Sequence, residues 1–149
     1  IANVLFPKGF SCSGTTPAIT KLKEATEKAG AMQAKLLKTS GAFHTSMMEP
    51  ARAKLEKALN DLLPEMKPPT CDIYMNFTGK KIKAGTPPAE LVPLLAKQLC
   101  STVLWEPSVH QMIKDGMTEF YEVGPMKQLK AMMKRIDPNM WNSTSNVEV

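Results

Sequence analysis

Histidine is the side chain best suited to proton transfer near neutral pH, and this sequence has two. His44 lies in a short loop of small and polar residues, directly before a predicted helix amino terminus. The positive end of that helix disfavours an imidazolium, and a neutral imidazole is what a general base requires. His110 lies inside a predicted helix, where an exposed surface histidine is the simpler interpretation. His44 is therefore the candidate base, with a purely structural loop histidine as the alternative.

A base needs a nucleophile, and the sequence offers no convincing one. Residues 9–14 (GFSCSG) imitate a serine elbow around Ser11, but the second glycine comes one residue late and the segment is predicted as a strand. The three cysteines lie far apart with no C-x-x-C pair, which argues against a zinc site. We expect them to be reduced, buried thiols. They are Cys12, Cys71 and Cys100. We expect no metal site.

Composition narrows the class of partner. The 149 residues carry a net charge of +5, which favours acidic partners. Only two of the nineteen basic residues are arginine, so nucleic-acid recognition is not expected. No apolar run is long enough for a membrane crossing, and no leader is readable. We expect a cytoplasmic or organelle-matrix protein that is not secreted. The sequence begins with Ile1, from which we expect a truncated chain.

Proline, glycine and hydrophobic spacing predict alternating helices and strands, hence an α/β protein with parallel pairing. The first forty residues resemble one β-α-β unit, with a second strand at 31–38 predicted from alternating apolar residues. Ser46 and Glu49 have capping-box spacing and predict a helix that runs to Pro64. The other predicted elements are a strand at 71–76, helices beginning near 86–88 and at 107, a strand at 118–123 and a last helix after 124–125. The tail after Trp141 is expected to fray.

Several motifs together resemble one known family, the malonyl-CoA:acyl-carrier-protein transacylases. The segment 40–51 (SGAFHTSMMEPA) is similar to that family's histidine motif. Other landmarks occur in the family's order along nearly the whole chain: Ala2-Asn3, Ser13-Gly14, Asn76, Gln98-Leu99, 103–105 (VLW), 122–125 (EVGP) and 134–136 (KRI). The resemblance covers the carboxyl-terminal half of a typical member.

The resemblance implies a fold and a mechanism. The fold would be part of an α/β-hydrolase-like acyltransferase domain at 39–149, plus the trailing β-α-β portion of a ferredoxin-like small subdomain at 1–38. In the family, a serine in a Gly-His-Ser elbow attacks malonyl-CoA, a histidine takes its proton, and the malonyl ester passes to the phosphopantetheine thiol of acyl carrier protein. His44 matches that histidine, and Gln98 resembles the residue whose carbonyl orients the ring. The serine is expected upstream of Ile1, so the isolated chain should be inactive.

The resemblance also implies substrate and partner contacts. Phe43 matches a position where a bulky ring favours malonyl over branched acyl groups, and Asn3 and Asn76 match positions near the cleft. Acyl carrier proteins are acidic, so we expect a basic cluster on the last helix to dock the carrier. Its members are Lys127, Lys130, Lys134 and Arg135. The expected partners are acyl carrier protein and a coenzyme A thioester, with no cofactor, and the chain is expected to be a monomer.

Two other interpretations remain open at this point. The chain could belong to an acyltransferase domain of a polyketide or multifunctional fatty-acid synthase, which shares the chemistry. It could also be a non-catalytic paralogue that binds carrier protein without turning it over.

Overall fold

A computed structural model describes all residues from Ile1 to Val149 as an α/β protein with three small sheets. The strands are β1 (Asn3–Phe6), β2 (Gly9–Ser11), β3 (Ile73–Tyr74), β4 (Lys81–Ile82), β5 (Val103–Leu104), β6 (Phe120–Val123) and β7 (Thr144–Val147). The helices are α1 (Thr16–Lys28), α2 (Glu49–Leu62), α3 (Pro88–Lys97), α4 (Trp105–Lys114), α5 (Gln128–Ile136) and α6 (Pro138–Asn142). Two 3₁₀ turns, Ser46–Met48 and Leu63–Glu65, flank α2.

Proline marks where most helices begin, as the sequence predicts. Helices α1, α2, α3 and α6 each have proline at the first or second position, where its missing N–H costs nothing. The predicted capping box is wrong. Thr45, one residue earlier than Ser46, caps the 3₁₀ turn that precedes α2, and the Glu49 carboxylate is paired with Arg52 instead.

The sheets combine parallel and antiparallel pairs. In the first sheet β1 lies between β2, to which it is antiparallel, and β5, to which it is parallel. Strands β3 and β4 form an antiparallel pair, and β6 and β7 a parallel one. Parallel pairing is therefore confirmed at two places. The hairpin formed by β1 and β2 was not predicted.

Two sequence predictions are wrong about strands. Residues 31–38 form no strand, and Met32 is 98% exposed. Alternation needs a neighbouring strand before it yields a sheet, and this chain places none beside the segment. The tail does not fray, because residues 144–147 pair with β6 as β7. Asn146 reinforces that pairing by donating to the backbone oxygens of Glu122 and Gly124.

The cysteines also differ from expectation. Cys12 and Cys71 are exposed and Cys100 is half-buried, and all three are free thiols. The expectation rested on the general preference of free cysteine for protein interiors. Here the three cysteines lie outside the strands and helices, near their ends.

The core is small, with eleven buried residues among the 149. One part joins α4 and α5 through Val109, Met133 and Ile136. A second part is the buried face of α3, formed by Leu91, Val92 and Ala96. Helix α3 packs on α2, so the loop that carries His44 enters the structure beside a buried helix. None of the helices combines the length and the apolar character that a membrane crossing requires.

Candidate active site

The His44 ring is held by the main chain of a distant residue. Its Nδ1 lies 2.9 Å from the backbone carbonyl oxygen of Gln98, at the carboxyl-terminal end of α3. A carbonyl can only accept a hydrogen bond, so Nδ1 carries the proton and donates it. In a neutral imidazole with that tautomer, Nε2 has a free lone pair. The ring is thus arranged as a proton acceptor at Nε2.

The backbone of His44 is fixed as tightly as its ring. Its N–H donates to the carbonyl oxygen of Leu99 at 2.9 Å. Its φ of +63° lies in the left-handed region, which few residues other than glycine adopt. Such backbone geometry persists only where neighbouring contacts impose it, and it is concentrated at functional sites. Two successive carbonyls at the end of α3 therefore set both the backbone and the ring of His44.

The end of α3 also supplies a favourable field. The last carbonyls of a helix lack intrahelical partners and carry the negative end of the helix dipole. This end faces the nitrogen that becomes part of a cation when a base takes up a proton. The dipole expected from the sequence to act on His44 is that of α2, but a 3₁₀ turn separates His44 from that helix. The contact with α3 could not be read from spacing, because the two segments meet only through the fold.

Thr45 closes the loop around His44. Its hydroxyl donates to the backbone oxygen of Ala42 at 2.7 Å and accepts from the N–H of Met47 at 3.3 Å. Sequence reasoning missed this role, although threonine before a helical turn is a recognised capping signal.

A polar cluster lies one residue beyond the two carbonyls. Glu49 is paired with Arg52, and hydrogen bonds from Arg52 and then Cys100 lower the pKa of the Glu49 carboxyl. The pKa of the Cys100 thiol is raised, first by burial and then by its bond to Glu49. The Glu49 carboxylate and the Cys100 thiol therefore lie near each other, between the first turn of α2 and the end of α3.

Phe43 folds back over its own loop. The residue is 41% exposed. A methyl group added at Gly41 would lie 3.3 Å from the Phe43 ring and 3.6 Å from the sulfur of Met48. The ring thus covers the loop backbone directly before His44.

Asn3 and Asn76 lie on opposite edges of β5. Val103 donates to Ala2, the residue before Asn3, and Leu104 donates to the backbone oxygen of Asn76. The Asn3 amide donates to Ser11 Oγ within the hairpin, whereas Asn76 Oδ1 is buried with no hydrogen-bond partner. The structure therefore brings both asparagines to the strand that follows Gln98, with no hydrogen bond to His44.

Three of the four residues in the basic cluster on α5 lie over aromatic rings. Lys134 Nζ lies 4.6 Å from the centre of the Trp141 ring, and Lys130 lies 5.9 Å from it. The Arg135 guanidinium lies 4.5 Å from the centre of the Phe6 ring. Lys127 and Lys130 line an open polar depression of about 380 Å³ together with Ser145, Asn146 and Glu148. Lys127 is the member whose charge has no partner within the chain.

His110 is a surface residue, as predicted from its place in a helix. Its side chain is 54% exposed and lies 3.7 Å from Glu106 one turn earlier. No group of three or more His, Cys, Asp and Glu side chains is placed to hold a metal ion.

Known proteins resemble this chain over its full length. The mitochondrial malonyl-CoA-acyl carrier protein transacylases of Mus musculus and Homo sapiens are 36% and 34% identical to it over 100% of this chain. The malonyl CoA-acyl carrier protein transacylase of Bacillus subtilis is 31% identical over 92% of it. The chain spans 38–42% of the length of these three relatives. No family model matches the chain.

Solved structures of malonyltransferases also resemble this chain. The acyl-carrier-protein S-malonyltransferase of Burkholderia pseudomallei superposes with a TM-score of 0.85 at 28% identity, over 98% of this chain and 45% of that one. A malonyl-transacylase in complex with its type II PKS acyl-carrier protein gives 0.78 at 27% identity, over 91% and 41%. This chain is therefore a homologue of the malonyl-CoA-acyl carrier protein transacylases, matching a segment of about two fifths of their length.

Proposed function

We propose that this chain supplies the base of a malonyl transacylase, with His44 as the general base and the Gln98 carbonyl as the group that orients it. The observation that carries the proposal is the contact between His44 Nδ1 and the Gln98 backbone oxygen, which leaves Nε2 free to accept a proton. The same division of roles occurs in Ser-His-Asp triads, where a third group fixes the tautomer of the histidine. The names of the sequence relatives support the reaction assigned to this arrangement.

The proposed reaction has two transfer steps. His44 Nε2 takes the proton from a serine hydroxyl as the serine oxygen attacks the thioester carbonyl of malonyl-CoA. The carbon–sulfur bond then breaks, and the proton passes from His44 to the departing thiolate of coenzyme A. In the second half, His44 removes the proton of the phosphopantetheine thiol of acyl carrier protein, and the carrier sulfur attacks the carbonyl of the malonyl-serine ester. The bond between that carbonyl carbon and the serine oxygen then breaks, and His44 returns the proton to the serine oxygen. No hydroxyl of this chain hydrogen-bonds the His44 ring, which supports a serine supplied by sequence outside these 149 residues.

The substrate and partner assignments belong to the same proposal. Phe43 forms a wall that disfavours a branched acyl group, and Asn3 and Asn76 line the cleft from the two edges of β5. The α5 cluster docks the acidic carrier, with Lys127 presenting the unpaired charge. The solved complex of a homologous transacylase with its acyl-carrier protein supports this kind of partner. The names of the human and mouse relatives favour a mitochondrial location among those expected. We retain 1–38 and 39–149 as the proposed subdomains.

A chimera tests the proposal, because the chain alone lacks the proposed nucleophile. In the chimera this chain replaces the matching segment of the mouse transacylase, and malonyl transfer from malonyl-CoA to acyl carrier protein is measured. His44→Asn should lower kcat/KM at least 100-fold, the usual contribution of a general base. Asparagine tolerates the left-handed backbone at this position, so the loop should survive the change. His110→Asn is the matched control and should leave kcat/KM within about twofold.

Two results would contradict the proposal. One is a His44→Asn chimera that keeps more than about a tenth of the parental kcat/KM, because a general base contributes 100-fold or more. The other is a stable malonyl adduct on the isolated 149-residue chain after incubation with malonyl-CoA, measured by intact mass spectrometry. Such an adduct would place the nucleophile inside this chain.

A further inference from the structure

We propose that the Thr45 hydroxyl is a positioning residue that imposes the left-handed backbone of His44 and so holds its ring against the end of α3. The catalytic importance of Thr45 rests on the proposed function. Its effect on the conformation of His44 does not depend on that function and is tested without substrate.

The hydroxyl joins the two sides of His44. Ala42 precedes His44 and Met47 follows it, and Thr45 Oγ1 bonds to the backbone of both, at 2.7 and 3.3 Å. The backbone oxygen of Thr45 also accepts from Met48 N–H at 3.1 Å, which completes the 3₁₀ turn. The loop is therefore closed on itself at the residue next to the base.

The two Thr45 hydrogen bonds help to maintain the left-handed backbone of His44. A φ of +63° is less favourable for histidine than an extended or right-handed backbone, and an open loop would relax to one of those conformations. The bonds from His44 to the Leu99 and Gln98 carbonyls hold that residue against the end of α3, but they do not fix the backbone on either side of it. The Thr45 bonds fix that backbone. Without them the backbone of His44 relaxes, and the ring leaves the Gln98 oxygen.

The neighbouring hydroxyl offers a matched comparison. Ser46 is exposed, and its side chain forms no hydrogen bond within the chain. It lies at the start of the same 3₁₀ turn. Removing its hydroxyl changes the local composition as much as removing that of Thr45, without opening the loop.

The test measures the tautomer of His44 in the 149-residue chain by long-range proton–nitrogen NMR. The chain has only two histidines, so a His110→Gln variant assigns both rings. His44 should show a protonated Nδ1 and a bare Nε2, whereas exposed His110 should show a mixture of tautomers. Thr45→Val keeps the shape and removes the hydroxyl; it should turn His44 into a mixture and speed exchange of its amide about fivefold or more. Ser46→Ala should change neither quantity.

Thr45→Ser separates the hydroxyl from the methyl group. It keeps both hydrogen bonds and should keep the single tautomer of His44. The proposal is overturned if Thr45→Val leaves the tautomer and the amide exchange unchanged, or if Thr45→Ser shows the same loss as Thr45→Val. Should the valine variant lose its folded amide spectrum, the serine variant decides: a single His44 tautomer supports the hydroxyl, and a mixture refutes it. The readout needs no turnover, so failure of the transferase proposal leaves this result intact.

Discussion

Removing the Gln98 side chain should leave catalysis almost unchanged, because the contact with His44 is made by the backbone oxygen of Gln98. A hydrogen bond to a charged group contributes about 1.5–3 kcal/mol, which corresponds to about 10- to 150-fold in rate if it is lost when the imidazolium forms. A side-chain contact would forfeit that amount in Gln98→Ala. A backbone contact predicts a change in kcat/KM of less than about twofold, measured in the chimera with malonyl-CoA and acyl carrier protein.

A substitution at the next residue, Leu99, tests the backbone of Gln98 instead of its side chain. Gln98 has φ −53° and ψ −33°, a right-handed helical conformation that aims its carbonyl at His44. Proline disfavours that conformation in the residue before it. Leu99→Pro should therefore turn the Gln98 carbonyl away and lower kcat/KM by about 10- to 150-fold. Leu99→Ala removes the same side chain while sparing the backbone, and it serves as the control.

Orientation of His44 by the Gln98 backbone is contradicted if Gln98→Ala lowers kcat/KM tenfold or more in a chimera whose circular dichroism and thermal midpoint are unchanged. It is equally contradicted if Leu99→Pro retains the parental kcat/KM. Either outcome would mean that the ring is oriented by something other than the end of α3.

Three further predictions concern specificity, docking and pH. In the chimera, Phe43→Ala should raise the kcat/KM for methylmalonyl-CoA relative to malonyl-CoA by about 10-fold or more, since one methyl contact contributes about 1–3 kcal/mol; an unchanged ratio would remove Phe43 from the substrate wall. Lys127→Glu should raise the KM for carrier about two- to fivefold at low salt and little at high salt. Lys54→Glu makes the same charge change on α2 and should leave this KM unchanged. Equal effects of the two variants would mean that the net charge of the chain, and not a docking surface, sets the KM. Hydrogen bonds from Tyr74, Gln111 and Lys81 lower the pKa of Asp115. The contribution of Asp115 to stability is therefore present at neutral pH and lost as the pH falls below about 4. The difference in thermal midpoint between the parent chain and Asp115→Asn should shrink in acid, and a constant difference would contradict this.

Local signals in the sequence were enough to predict most helix positions. Proline at a helix start and glycine beyond its end act through φ preferences that the surroundings rarely override, as at Pro17 and at Gly30, whose φ is +84°. The prediction of a strand at 31–38 was wrong because an alternating pattern does not show whether a partner strand exists. The prediction of a frayed tail was wrong because its polar residues do have partners: Thr144 is buried and donates to the Met140 backbone oxygen.

The candidate site also contains features that the sequence predicts and features that it does not. His44 was identifiable from its residue type and loop, and the Gln98 carbonyl was inferred only through the family resemblance. Nothing in the spacing indicates that Leu99 also holds the His44 backbone, because that contact joins segments far apart in the chain. The positions of Lys134 over the Trp141 ring and of Arg135 over the Phe6 ring likewise could not be predicted from the sequence. Contacts between distant segments are the part that one sequence does not provide.

The two carbonyls that hold His44 belong to the end of α3, whose inner face is buried at Leu91, Val92 and Ala96. The position of the imidazole consequently depends on the hydrophobic interior that sets these two carbonyls, in addition to the Thr45 bonds within the loop. Substitutions at exposed loop positions such as Ser40 could accumulate without moving the ring. A cavity made at Ala96 or Val92 would shift the ring from a distance, so repacking that interior offers a way to tune the chemistry without touching any residue that meets the substrate.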